Sequence, residues 1–259
     1  MDSNQRSPIK DKPLRQAGQS LEEERRAIWD DKIEPYLMVA LLFVMLAALE
    51  CWRWYDSRPP NPVLFGLVAL AWVALATWKV WRHRPNMKAL QLGADGEKAV
   101  GQFLDRMRER QYQVFHDIVG PNFNLDHVLI GRAGVFTIET KTWTKPAKGD
   151  ARVTFKDGRL LAAGHAPDRD PIVQARAQAK WLGNLLMETT GKPFKAMPVI
   201  VFPGWFVEQS KDKPADLWVL EPKALPTFID NEPTRLADQD IKLASFHLSR
   251  FIRSVERER

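Results

Sequence analysis

The sequence predicts an α/β fold in which a mixed sheet flanked by helices follows a two-helix transmembrane hairpin. Two observations lead to this prediction. Residues 35–49 and 59–78 contain no charged side chain, in a chain of which 27% is charged. From residue 93 onward, helix-like and strand-like patterns follow in the order helix, three strands, helix, strand, which is typical of a mixed sheet packed between helices.

The first 33 residues precede the apolar runs, and we predict that they lie in the cytoplasm. Residues 1–19 are polar and show no hydrophobic periodicity, so we predict that they are disordered. Ser20 and Glu23 have the spacing of a capping box, which predicts a short helix over residues 21–33. Its apolar positions are few, and a location at the membrane surface would suit it.

The two charge-free runs predict a transmembrane hairpin within residues 34–83, with helices over about 35–54 and 61–80. A bilayer core requires about 20 mainly apolar residues. The second run has this length, and the first reaches it if Glu50 and the tryptophans that follow it lie at the membrane boundary. The alternative is a helical hairpin buried in a soluble protein.

The distribution of positive charge predicts the orientation of the hairpin. The first 34 residues carry seven Lys/Arg and residues 79–88 carry four, whereas the connecting loop has only Arg53 and Arg58. Because loops rich in Lys and Arg stay on the cytoplasmic side, both termini are predicted to be cytoplasmic. The chain is therefore expected to be a multi-pass protein of the bacterial inner (plasma) membrane, with the lipid bilayer as one partner.

Net charge and cysteine content restrict the classes of function only slightly. The net charge of +6 divides into 13 Lys/Arg against 10 Asp/Glu in residues 1–92, and 25 against 22 in residues 93–259. The downstream part is only mildly basic, so its total charge is poor evidence for nucleic-acid binding. Cys51 is the one cysteine, which excludes an intrachain disulfide framework and a cysteine-cluster metal site.

Residues 90–259 are predicted to form one globular domain, built from helices and strands in turn. The expected elements are a helix over 93–110, a strand over 112–117, two strands joined by a turn at 131–134, a hairpin over 152–163 that turns at Asp157-Gly158, a helix over 171–188 capped by Asp170, strands over 198–202 and 217–220, and a closing amphipathic helix over 238–256.

The stretch from residue 124 to 141 carries the most informative chemistry. Asp126 lies near the start of its first strand, and Glu139 and Lys141, two residues apart, project from one face at the end of its second strand. Two carboxylates can hold a divalent ion that activates water and polarises a phosphoryl oxygen, while a lysine stabilises developing charge. The alternatives are a Glu-Lys ion pair at a strand end and, for Asp126, turn chemistry.

Three separated motifs resemble those of one known family, the nuclease-related domain (NERD), which is assigned to the restriction-endonuclease-like PD-(D/E)XK superfamily. The resemblance spans about residues 90–205, in the family's order and spacing. The motifs are G-A-D-G-E-K (93–98), N-L-D-H-V-L-I-G-R-A-G-V-F-T-I-E-T-K (124–141) and D-P-I-V-Q-A-R-A-Q-A (170–179).

The resemblance implies a restriction-endonuclease-like fold and a catalytic set of five residues. Asp126 and Glu139 match the metal ligands for Mg²⁺ or Mn²⁺, and Lys141 completes the Glu-x-Lys pair. Glu97 matches a first-helix glutamate that assists at the metal, and Gln174 a later glutamine that contacts the site or the substrate backbone. By themselves, Glu97 would be a glutamate favoured at a helix N-terminus and Gln174 an ordinary polar position.

The function that these residues favour is a membrane-anchored, metal-dependent nuclease that hydrolyses phosphodiester bonds, with DNA as the expected substrate and a homodimer as one possible state. The first alternative is a non-catalytic module that binds nucleic acid or a partner at the membrane. Trp205 and Phe206 follow a strand and either stack on bases or pack in the core. The second alternative is a structural membrane protein with a vestigial domain.

Overall fold

The computed structural model describes residues 14–56, 62–145, 151–156, 159–165, 170–208 and 214–258. The chain divides into two compact units. Residues 20–92 form one unit, and residues 93–259 form the other together with the segment that ends at Gln19.

The first unit is helical. Its elements are α1 (Gln19–Lys32), α2 (Glu34–Tyr55) and the first part of α3 (Pro62–Asp105). The Nζ of Lys79 lies 4.4 Å from the ring centroid of Tyr36, and the rings of Phe43 and Trp72 stack at 6.1 Å. The earlier residue of α2 contacts the later residue of α3, and the later residue of α2 contacts the earlier residue of α3. The two helices therefore run antiparallel as a hairpin.

Among the described residues, two helical stretches are long and apolar enough to cross a membrane, namely Gln19–Tyr55 and Val63–Arg110, and their most apolar parts lie in this unit. Their apolar side chains are largely uncovered by protein. Leu41 is 54% exposed, Leu67 62% and Leu70 66%. This exposure does not favour the alternative of a hairpin buried within a soluble protein.

In the described residues, the second unit contains eight strands and three further helices. The strands are β1 (Gln113–Val119), β2 (Asn124–Gly131), β3 (Gly134–Thr140), β4 (Arg152–Lys156), β5 (Arg159–Ala162), β6 (Ala196–Val201), β7 (Phe206–Val207) and β8 (Trp218–Leu220). The helices are α4 (Pro171–Thr190), α5 (Leu225–Asp230) and α6 (Asp238–Glu258), with short 3-10 turns at Arg106–Arg110 and Pro222–Ala224.

The main sheet has the order β1-β2-β3-β6-β8 and is mixed, as predicted. The strands β1, β2 and β3 form an antiparallel meander, and β6 and β8 continue parallel to β3. Helices α4 and α6 cover one face of the sheet, and the end of α3 together with α5 covers the other. A second sheet has the order β5-β4-β7, and its strand β4 is the next strand after β3 in the chain.

Burial on both faces explains the composition of the central strands. Every residue of β3 is buried, and so is every residue of β2 after Asn124. Central strands between two helical layers read as continuous apolar runs. The turn between them pairs Gly131 with Gly134, whose φ of 136° is readily adopted only by glycine. The predicted two-strand motif is therefore present with the expected turn.

One predicted boundary is absent. We expected a membrane helix over about 61–80 and a separate helix from residue 93, but α3 runs from Pro62 to Asp105 without a break. Pro85 lies inside it. The linking residues contain no glycine and several good helix formers, so a single proline does not end the helix.

The N-terminal segment also differs from the prediction of disorder over residues 1–19. Residues 1–13 lie outside the described residues, as does the predicted turn at Asp157-Gly158. Arg15, however, is only 5% exposed and lies in the second unit, where its guanidinium pairs with Asp117 at 2.8 Å and Glu256 at 2.6 Å. The segment is ordered because these contacts bury its charge with two partners, a feature that its polar composition does not predict.

Candidate active site

The β2–β3 hairpin brings the predicted acidic residues together. His127 faces Ile138 in the antiparallel register, which places Asp126 beside Glu139 on the neighbouring strand. Both carboxylates are buried, at 9% and 3% exposure. Lys141, two residues beyond Glu139, donates from Nζ to Glu139 Oε1 at 2.6 Å.

Helix α4 adds two glutamines to this group. Asp170 caps the helix by accepting from the N–H of Ile172. One turn on, Gln174 donates to Glu139 Oε1 at 2.7 Å and accepts from Lys141 at 3.0 Å. Gln178 donates to Glu139 Oε2 at 2.7 Å, so both carboxylate oxygens of Glu139 are held by neighbours.

Gln178 is the site residue that the sequence analysis missed. It is buried, and its Nε2 also lies 3.0 Å from the carbonyl oxygen of Asn124 at the start of β2. Its spacing from Gln174 could have indicated it, because residues four apart on a helix lie on the same face.

Helix α3 brings Glu97 to the same group by approaching Thr142 very closely. A Cβ at Gly96 would lie 1.7 Å from Thr142 Oγ1, so only glycine allows the helix to lie there. Glu97, the next residue, is 8% exposed. The structure thus brings together all five predicted residues, while their catalytic roles stay predictions.

The three carboxyl groups interact strongly with one another. Burial, followed by the charges of Asp117 and Glu139, raises the pKa of Glu97 to about 8. Burial, followed by the charges of Glu139 and Glu97, raises the pKa of Asp126 well above its ordinary range, although the N–H of Thr140 donates to Asp126 Oδ2 at 2.7 Å. Near neutral pH, Glu97 therefore holds a proton unless a further positive charge joins the group.

The N-terminal segment contacts this group as well. The backbone of Gly18 makes a hydrogen bond with Glu97. Arg15 holds Asp117, which is 1% exposed and has a left-handed φ of 50°. Residues far upstream of the three motifs therefore shape the surroundings of Glu97.

A chain of hydrogen bonds through two histidines links Asp105 to Thr140, which contacts Asp126. Burial lowers the pKa of both His116 and His127, so both imidazoles are neutral near pH 7. One assignment then suits all contacts: Thr140 Oγ1 donates to His127 Nε2, His127 Nδ1 to His116 Nδ1, and His116 Nε2 to Asp105. His127 thus holds Thr140, whose N–H binds Asp126.

A divalent ion suits the side chains present. In the described part of the chain, no three His, Cys, Asp or Glu side chains are grouped to hold a metal by themselves. Mg²⁺, however, is commonly held by one or two carboxylates and several waters. Asp126 and Glu139 supply two hard oxygen donors whose mutual repulsion an ion would relieve. Thr142 Oγ1 is buried without a hydrogen-bond partner among the described residues, and an ion-bound water could supply one.

Trp205 is not available for base stacking, so that part of the binding alternative is wrong. Its side chain is 2% exposed, and its indole N–H donates to the carbonyl oxygen of Trp143 at 3.2 Å. Phe206, the next residue, begins β7 and is 61% exposed.

Comparisons with known proteins agree with the three motifs. An uncharacterized protein of Bacillus anthracis is 30% identical over 86 residues, which cover 31% of this chain and 39% of that protein. The chain therefore spans about two fifths of the length of this curated relative. No solved structure matches the chain. A family model described as nuclease-related domain matches residues 92–203, so this part of the chain is similar to nuclease-related domains.

Proposed function

We propose that the second unit is a divalent-metal-dependent nuclease that hydrolyses phosphodiester bonds, with DNA as its first candidate substrate. The observation that carries the proposal is the contact of Lys141 and Gln174 with Glu139, on the strand next to Asp126. Two carboxylates beside a lysine at the end of an apolar sheet are the groups that such a reaction requires.

Each side chain has a distinct task in this proposal. Asp126 and Glu139 would hold Mg²⁺ or Mn²⁺, which, when bound, supplies a polarised phosphoryl oxygen and a more acidic water. Lys141 lies within hydrogen-bond distance of Glu139 and is placed to stabilise charge on the scissile phosphate. Gln174 and Gln178 fix the orientation of Glu139. Glu97, with a pKa of about 8, can hold or release a proton near neutral pH.

The test compares cleavage by the full chain in detergent with cleavage by its variants. Supercoiled plasmid, linear duplex and single strands are incubated with Mg²⁺, Mn²⁺ or EDTA. Glu139→Gln and Lys141→Met should each lower the rate by about 100-fold or more, as the loss of one charge-stabilising group does elsewhere. Lys192→Ala, which removes an exposed ion pair with Asp240, is the matched control and should cut as wild type does.

Three results would contradict the proposal. They are cleavage that survives EDTA, cleavage unaffected by both site variants, and absence of cleavage by a folded protein under all of these conditions.

We propose further that α2 and the apolar part of α3 anchor this nuclease to the membrane, with the second unit on the cytoplasmic face. Trp52 and Trp54, each 69% exposed, lie at the end of α2, as expected at a membrane interface. Glu50, the acidic residue near that end, is neutralised by Arg53 at 2.7 Å. Alkaline carbonate should leave the protein in the membrane, and protease outside spheroplasts should leave the second unit intact. Release by carbonate would refute the anchor.

A further inference from the structure

The second sheet, β5-β4-β7, has one face in the core and one face in solvent. On its inner face, Val153 and Leu160 are buried together with Ile172 and Ala175 of α4. The last two flank Gln174 in the sequence, so the sheet packs on the part of α4 that contacts Glu139. The second sheet therefore lies next to the helix that carries Gln174, and its outer face points away from that helix.

The outer face combines an aromatic ring with positive charge. Arg152 pairs with Phe206 across the parallel strands, and its guanidinium lies 5.1 Å from the ring centroid. Arg152 also lies 3.4 Å from Glu208. Phe206 nevertheless stays 61% exposed, and Arg159, on the same face of β5, is exposed too. One side of the phenyl ring is thus open to a flat partner.

Positive charge is concentrated in this part of the chain. Residues 141–159 contain six Lys/Arg and two Asp/Glu, whereas residues 93–140 and 160–259 together contain 19 and 20. Within residues 93–259, the excess of positive charge therefore comes entirely from residues 141–159, which begin at Lys141 and include β4. This local concentration is a stronger signal for a polyanion than the total charge.

We propose that the outer face of the second sheet binds an unpaired strand of nucleic acid, with a base stacked on Phe206 and phosphates at Arg152 and Arg159. The inference rests on the proposed nuclease and names its substrate class. Stacking on an aromatic ring requires an unpaired base and is independent of sequence. Guanidinium groups suit phosphates because they donate several hydrogen bonds in one plane.

The test measures binding in EDTA, where cleavage is prevented. Anisotropy of a labelled DNA strand of about 12 unpaired bases reports the Kd for the full chain in detergent. Phe206→Ala should weaken binding about tenfold, the effect of losing one stacked base, and Phe206→Trp should restore it. The control is Phe246→Ala, because Phe246 is 63% exposed but lies on α6. A duplex of equal length should bind more weakly and respond less to Phe206→Ala.

Two outcomes would overturn the inference: an unchanged Kd for Phe206→Ala, or equal losses with Phe206→Ala and Phe246→Ala. Failure of the proposed function is distinguishable from both. Binding that depends on Phe206 without any cleavage in Mg²⁺ would refute the nuclease and leave the strand-binding face. Cleavage that depends on Glu139, together with a Kd that Phe206→Ala does not change, would support the nuclease and refute the strand-binding face.

Discussion

Glu97 is a buried acid of this site whose pKa is raised to about 8. It lies under three influences that favour its neutral form: burial, the charge of Asp117 and the charge of Glu139. A protonated glutamic acid beside ionised carboxylates can donate to an oxygen that becomes negative, a role that an ionised one cannot fill. The same proton is easily displaced once a cation enters the site.

We expect Glu97→Gln to change the pH dependence of stability in EDTA. The raised pKa contributes stability that is fully present below the ordinary value of 4.5 and is lost as the pH rises to about 8. Glutamine resembles the protonated acid at every pH, so wild type and variant should have similar Tm values near pH 5. Above about pH 8, the variant should be the more stable protein.

The measurement is thermal unfolding of both proteins in detergent across this pH range. Glu188→Gln, an exposed glutamate on α4, is the control and should follow wild type. A Tm difference between Glu97→Gln and wild type that does not vary with pH would contradict the assignment of a raised pKa.

Single residues also show where sequence patterns stop being informative. Glu139 and Lys141 could be placed together because strand alternation is local and strict. The link from Gln178 to Glu139 joins residues 39 apart in the chain. Spacing on α4 makes Gln178 a neighbour of Gln174, but it does not reveal which strand the helix covers. That depends on packing between distant elements, which no local pattern encodes.

At the scale of elements, the strand pair β2–β3 was the easiest to predict and α3 the hardest. Two apolar runs around a Gly-rich turn give a hairpin with a definite register. The long α3 contains an apolar half and an amphipathic half, and the change of pattern between them resembles a boundary. Helix geometry tolerates such a change, because it needs only backbone hydrogen bonds and acceptable side chains throughout.

The close approach of α3 to the site explains its glycine motif. Gly96 lets the helix backbone lie against Thr142, directly after Lys141, and this contact sets the position of Glu97. The family resemblance pointed to Glu97, whereas the physical reason for the glycine beside it becomes visible only when Thr142 is seen in contact with the helix.

For the whole molecule, the most consequential contact joins the two ends of the described chain. Arg15 reaches Asp117, 102 residues away, and Glu256, 241 residues away. The segment therefore belongs to the second unit, although α2 and the apolar part of α3 lie between them in sequence. If those helices cross a bilayer, an even number of crossings is required for Arg15 to meet Asp117, which supports the proposed hairpin topology.

We expect Arg15→Ala to destabilise the second unit strongly. Loss of one partner from a buried ion pair leaves an uncompensated charge, which costs about 3–5 kcal/mol. Asp117 has 2% side-chain exposure and would be that charge. Denaturant unfolding, followed by tryptophan fluorescence, measures the change.

Two further variants make the Arg15 experiment specific. Arg15→Lys keeps the charge and should recover part of the stability, while Lys192→Ala, at an exposed pair, should lower it by less than about 1 kcal/mol. Equal losses for Arg15→Ala and Lys192→Ala would show that the buried pair has no special importance.

The Arg15 contacts also impose an order on biosynthesis. Asp117 follows Arg15 by 102 residues and Glu256 follows it by 241, so Arg15 is synthesised well before either partner. The segment around Arg15 therefore cannot make these contacts until the two apolar helices and the partners beyond them have been synthesised. The entropic cost of closing a loop grows only slowly with its length, but contacts between residues so far apart in sequence form late and slowly in folding. The second unit would thus complete the Arg15 contacts only after Glu256 has been synthesised.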